Sequence, residues 1–187
     1  MVHDLRTREV NVVTFVKGDM FKSPAQVLTN TVNCVGVMGA GVALEFKNRH
    51  PMMFEDYKAK CDRGEVQPGQ PYLWEDDSVQ ILNFPTKRDW RNDSAFQDIE
   101  DGLKHLANSY AAMGIQSIAM PALGCGLGGL DWTDVRPLIE KHLGPLPDLD
   151  VYVYEPQAAA SKKSGQHDRD ANDTACSRKI SAHPNEL

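Results

Sequence analysis

The chain reads as an α/β domain in which helices cover a mostly parallel sheet. Short β-branched, apolar runs recur as far as residue 156, and segments of helical periodicity with turn residues at their ends separate them. Two glycine clusters add to this, each lying between a strand-like run and a helix-like one, which is where parallel α/β sheets carry their ligand loops.

Five runs qualify as strands by composition and length: Asn11–Gly18, Gln26–Asn33, Ser78–Pro85, Ile115–Pro121 and Asp150–Glu155. The clearest helix spans Ser94–Met113, where Phe96, Ile99, Leu103, Leu106, Tyr110 and Met113 recur at steps of three and four. Ser94 and Gln97 have the spacing of a capping box at its start, and Gly114 suits the position just past its end. Pro51 opens a second helix carrying Met52, Phe54, Tyr57 and Cys61, and Gly64 closes it. A third follows Gly41 and contains Lys47, and a fourth is capped around Thr133. There is no internal repeat.

At 187 residues, 41% hydrophobic and 25% charged, the chain suits one domain of about 150 residues plus a remainder. No apolar run is long enough to cross a bilayer, and the N-terminus lacks the apolar stretch of a signal peptide, so a cytoplasmic protein without membrane contact is expected. Cys34, Cys61, Cys125 and Cys176 lie far apart without a CxxC pair, which argues against a zinc site and a disulfide framework and for reduced thiols. The net charge of −6 offers nucleic acid no global attraction, so any such contact needs a local basic patch. From Ala158 to Leu187 the composition turns to Lys, Asp, Ser and Asn with no aromatic residue. One folded unit over 1–156 is therefore expected to be followed by a disordered tail or linker over 157–187, or by the start of a further domain.

The first glycine cluster, Gly36, Gly39 and Gly41, leaves a stretch of backbone bare ahead of a helix N-terminus, a recurrent anion cradle whose bland alternative is a tight turn. In the second, Gly124, Gly126 and Gly129 satisfy GxGxxG, with Gly128 between them. A dinucleotide fingerprint would have its third glycine already in the helix, whereas Leu130, Asp131 and Trp132 intervene here. Neither cluster is followed by the lysine and hydroxyl residue of a P-loop. Two glycine loops remain that can clamp one elongated phosphate ligand from two sides.

Lys17–Phe21 (KGDMF), Asn30–Lys47 (NTVNCVGVMGAGVALEFK), Asn83–Arg91 (NFPTKRDWR) and Pro121–Trp132 (PALGCGLGGLDW) together resemble a macrodomain of the DarG type. The resemblance covers about Val10–Glu155 and implies a three-layer α/β/α fold with a central mixed, mostly parallel sheet. It implies an ADP-ribose site in which Asp19 accepts from the adenine amino group, with Met20 beside it. Thr31 and Asn33 would lie toward the ribose that carries the scissile bond. Gly39, Ala40, Gly41 and Val42 would pass under that ribose and the diphosphate, and Gly124, Cys125, Gly126, Leu127 and Gly128 would close from the other side. Lys87 aligns with the catalytic lysine of this branch, where an amine can assist cleavage by attack, by proton transfer or by orienting a nucleophile. In the human terminal ADP-ribose glycohydrolase of the same branch an aspartate of the second loop assists the lysine. The matching residue here is Gly128, which leaves Lys87 with substrate positioning or a bound water.

The implied activity is removal of ADP-ribose from thymidine bases of single-stranded DNA, reversing a DarT-type toxin, without cofactor or metal and as a monomer. Arg88, Trp90 and Arg91 next to Lys87 supply the basic, aromatic patch that strand binding needs, the alternative being a solvated loop with a packed tryptophan. Two other functions fit the same family: hydrolysis of ADP-ribose from protein carboxylates, and non-catalytic ADP-ribose reading, against which Lys87 speaks.

Overall fold

Residues 13–156 are described by a computed structural model, and their buried side chains alternate between the two faces of one six-stranded sheet. The strands are β1 (Val13–Val16), β2 (Val27–Val32), β3 (Tyr72–Glu75), β4 (Gln80–Pro85), β5 (Ser117–Pro121) and β6 (Asp150–Tyr154). Their order is β1-β6-β5-β2-β4-β3, and every pairing is parallel except β3 with β4. Ile118, Met120, Val151 and Val153 join one core with Leu82 and Phe84, while Ile81 and Ala119 point into the other. This two-residue alternation is the pleat, and burial on both faces is why the strands read as nearly continuous apolar runs.

Helices α1 (Gly41–Arg49) and α2 (Pro51–Asp62) cover one face through Phe46, Met53 and Tyr57. Helices α3 (Phe96–Ser109) and α4 (Trp132–Leu143) cover the other through Ile99, Leu103, Leu106, Val135, Leu138 and Ile139. The result is the expected three-layer arrangement. Gly64, at φ +70°, follows α2 as its spacing predicts, and Asp131 Oδ1 caps α4 by accepting from the Thr133 amide at 2.8 Å.

Three sequence expectations need correction. The edge strand β3 was not anticipated, because its four residues lie between a Pro-Gly-Gln-Pro turn and two aspartates and do not alternate. The Ser94–Gln97 capping box does not form: Ala95 is the N-cap of α3 and contributes no side-chain bond. Ser94 instead donates its amide to the Gly128 carbonyl at 2.8 Å, so a tertiary bond takes the residue that local pattern assigned to the helix. The helix itself ends at Ser109, and Tyr110–Met113 continue as turns up to Gly114 at φ +71°. Residues 11–12 of the first expected strand, Cys176 and the tail expected over 157–187 lie outside the described residues.

Candidate functional site

Three neighbouring strands, β5, β2 and β4, run parallel, so the segments leaving their carboxyl ends meet at one edge of the sheet. From β2 comes the first glycine loop, leading to α1 on one face. From β5 comes the second, leading to α4 on the other. Adjacent strands whose connections depart to opposite faces open a crevice between their loops, the place where open α/β sheets hold ligands. Lys87 follows β4 at this same edge, and the 3-10 turn Met20–Lys22 follows β1 there.

Asn33 shapes the first loop rather than facing outward. It is 6% exposed, its Nδ2 donates to the Val37 carbonyl at 2.6 Å, and its Oδ1 accepts from the Val35 amide at 3.0 Å. The Tyr57 hydroxyl donates to the same Oδ1 at 3.0 Å, tying the loop to α2. Sequence reasoning assigned Tyr57 only to an apolar helix face; nothing in its spacing signals the hydroxyl's task. The loop ends at Ala40, an N-cap without side-chain capping, so the first amides of α1, from Gly41 and Val42, stay open to an anion. Gly41 itself sits at φ +58° in the left-handed region.

The second loop folds back on itself through the Leu130 amide, which donates to the Gly124 carbonyl at 3.0 Å. The amides of Gly126, Leu127 and Gly128 donate to no other backbone group among the described residues. A Cβ at Gly128 would collide with the Gly124 carbonyl and Ser94 Oγ, so an aspartate cannot stand at this position in this loop. Across the crevice, a Cβ at Gly41 would meet Leu127 Cδ1 at 3.5 Å, so the two loops face each other closely. Lys87 joins them: its backbone amide donates to Val32 at the end of β2, and its Nζ donates to the Leu127 carbonyl at 2.5 Å.

Asp19 is exposed, and its Oδ1 accepts from the Phe21 amide at 3.0 Å as cap of the 3-10 turn. Met20 beside it is buried and belongs to the same apolar cluster as Ala119 and Phe46. Thr31 lies half-buried near the end of β2, and Val42 half-buried in the first turn of α1. Of the basic cluster, Trp90 is 48% exposed, with the Arg91 guanidinium 4.6 Å from its ring centroid. The ring is therefore not a packed core residue. Arg88 turns away toward α3, its fork held by both oxygens of Asp98 at 3.0 Å. Burial pushes the thiols of Cys34 and Cys125 up to about 11, so neither loop offers a thiolate at neutral pH.

The Macro domain family matches residues 29–139 of this chain. A DNA ADP-ribosyl glycohydrolase of Mycobacterium tuberculosis is 41% identical over 158 residues, covering 82% of this chain and 45% of that protein. The chain spans about half the length of the curated relatives it matches. Among solved structures, the macrodomain of Mycobacterium tuberculosis DarG aligns with a TM-score of 0.76 at 42% identity, covering 79% of this chain and 99% of that one. Thermosipho africanus DarTG in complex with ADP-ribose aligns with a TM-score of 0.74 at 41% identity, covering 78% of this chain and 42% of that one.

Proposed function

The chain belongs to the macrodomain family, and from that premise we propose that it is a DNA ADP-ribosyl glycohydrolase that removes ADP-ribose from thymidine bases of single-stranded DNA. In this role it is the antitoxin of a DarT-type transferase, its partners being that toxin, ADP-ribose and modified DNA. What carries the assignment is Lys87, whose amine reaches between the two facing glycine loops to the Leu127 carbonyl. The similarity to DarG proteins supports the DNA substrate.

Each group then has a chemical task. The open amides at the start of α1 and those of Gly126–Gly128 hold the diphosphate from two sides, an arrangement that needs no positive side chain. Gly39 and Ala40 let the ribose approach the backbone, while Asn33 keeps their loop in shape from beneath. Asp19 uses one oxygen as a cap and offers the other to the adenine amino group, with Met20 closing the apolar side. To Thr31, Val42, Gly124, Cys125 and Leu127 we assign the lining of the same site. Hydrolysis breaks the bond between the anomeric carbon and the thymine nitrogen, leaving the water's hydroxyl on carbon and its proton on the base. Lys87 assists at that carbon as an amine, by attack, by proton transfer or by orienting the water, and Gly128 leaves it without a carboxylate partner on the second loop. Trp90 and Arg91 hold the flanking strand. We read the protein as a cytoplasmic monomer and assign the catalytic unit to residues 1–156.

Incubation with an ADP-ribosylated thymidine oligonucleotide, reading free ADP-ribose, tests it directly. Release from the oligonucleotide and not from ADP-ribosylated protein carboxylates is the expected result. Preferential release from protein would replace the substrate class, and single-turnover binding without release would make the protein a reader.

A further inference from the structure

Arg88 follows Lys87 directly and is bound at both of its ends. Its carbonyl accepts from the Cys34 amide at 3.2 Å, which ties it to the root of the first glycine loop. Its guanidinium donates from Nε to Asp98 Oδ2 and from Nη2 to Asp98 Oδ1, both at 3.0 Å, in the bidentate fork that fixes orientation as well as distance. The two partners differ in exposure: the Asp98 side chain is 7% exposed and that of Arg88 is 70%. Asp98 lies in the first turn of α3, where the helix dipole favours a carboxylate, and its own backbone amide is taken by Ala95. Four residues before it, Ser94 donates to the Gly128 carbonyl, so the start of α3 also carries the second glycine loop.

We infer that Asp98 and Arg88 form a brace that positions Lys87 for turnover, and that Arg88 does not contact the DNA strand. The inference rests on the glycohydrolase function proposed above. A surface arginine recruited for phosphate would be left free, or paired with an equally exposed acid that phosphate can displace. This one is locked by a planar fork to a buried carboxylate that has no other side-chain partner among the described residues. Releasing it would strand Asp98 without compensation, so phosphate is a poor competitor. The peptide carrying Lys87 is thereby held between Val32, Cys34 and Asp98, that is, between β2, the first loop and α3. Asp98 and Arg88 are positioning residues and touch no substrate.

The test compares Arg88→Gln, Arg88→Lys, Asp98→Asn and the Arg88→Gln/Asp98→Asn pair in the full chain. Misplacing a catalytic group by about 1 Å can cost about a hundredfold, so kcat on the modified oligonucleotide should fall at least about tenfold in Arg88→Gln and Asp98→Asn. KM and calorimetric ADP-ribose affinity should stay within about twofold, and the double variant should be no worse than either single one. Arg88→Lys, which keeps the charge and loses the fork, should recover only part of kcat. A raised KM with a flatter salt dependence and unchanged kcat in Arg88→Gln would make Arg88 a strand contact and overturn the brace, as would unchanged kinetics. If either single variant fails to fold, for Arg88→Gln because it strands the buried Asp98, then Arg88→Lys and the Arg88→Gln/Asp98→Asn pair decide by the same kcat and KM readouts. If the unmodified protein releases no ADP-ribose, the glycohydrolase function itself falls. The brace is then judged by hydrogen exchange of the Cys34 amide, which faster exchange in Arg88→Gln supports and unchanged exchange refutes.

Discussion

The proposed function gives Lys87 and Gly41 different parts of the work, one through its side chain and the other through having none. If backbone amides hold the diphosphate as proposed, Lys87→Ala should abolish release of ADP-ribose while calorimetric affinity for free ADP-ribose persists. Turnover like that of the unmodified protein would remove Lys87 from the mechanism. Gly41→Glu should do the reverse and abolish binding itself. Its φ of +58° costs a side-chain-bearing residue about 1–2 kcal/mol, and the carboxylate would enter the space between the loops beside Leu127 and repel the diphosphate. Unchanged affinity would reduce the first loop to a tight turn. At Gly128 the Gly124 carbonyl and Ser94 Oγ occupy the place where a side chain would begin, so the loop as folded has no room for a second catalytic carboxylate there.

Helix α3 shows how an element reaches the site from below. It lies so close to β4 that a Cβ at Gly102 would collide with the Phe84 ring. Gly102→Ala should therefore destabilise by about 1–3 kcal/mol, the usual cost of overpacking a dense core. A thermal melt would show this as a fall of several degrees, and an unchanged melting temperature would mean that the helix can shift freely. On its other side α3 meets α4 through Glu100, whose carboxylate accepts from Lys141 Nζ at 3.0 Å and sits 3.2 Å from His142 Nε2. These bonds, Lys141's first, lower the Glu100 pKa from its ordinary value to about 2. A depressed carboxylate stabilises the fold above its unfolded pKa and loses that contribution as the pH falls through its folded one. Stability should thus decline between the ordinary glutamate range and about pH 2, and Glu100→Gln should flatten that part of the acid denaturation curve. An unchanged curve would show that the bridge is fully screened.

For the molecule as a whole, a net charge of −6 means that the DNA of the proposed function must be gripped locally. Trp90 is exposed with Arg91 against its ring, and it lies three residues beyond Lys87. Trp90→Ala should remove a stacking platform worth about 1–3 kcal/mol per base, and Arg91→Gln should flatten the salt dependence of oligonucleotide binding. Both should raise KM for the modified oligonucleotide and leave ADP-ribose affinity alone. An equal loss for both ligands would mark a structural tryptophan, and no loss for either would place strand recognition on another surface.

The sequence by itself determined the layers and the ligand edge. Signals that depend only on neighbours along the chain sufficed here: β-branched apolar runs marked β1, β2, β4, β5 and β6, a period of three to four marked α3, and glycine, proline or capping residues marked α1, α2 and α4. The glycine loops were visible for the same reason, since a strand, bare backbone and a helix start follow one another in the chain. Tertiary structure decided what depends on partners far apart in sequence. The short edge strand β3 exists because β4 offers it hydrogen bonds, not because four residues between turns prefer to be extended. Ser94 left its capping box for the Gly128 carbonyl, Tyr57 turned its hydroxyl to Asn33, and Arg88, read as a DNA contact beside Lys87, was claimed by Asp98. Each is a hydrogen-bonding group with a local option and a distant one. The distant partner wins when folding buries it, because an unpaired polar group in the interior costs more than a lost cap or a freed surface charge.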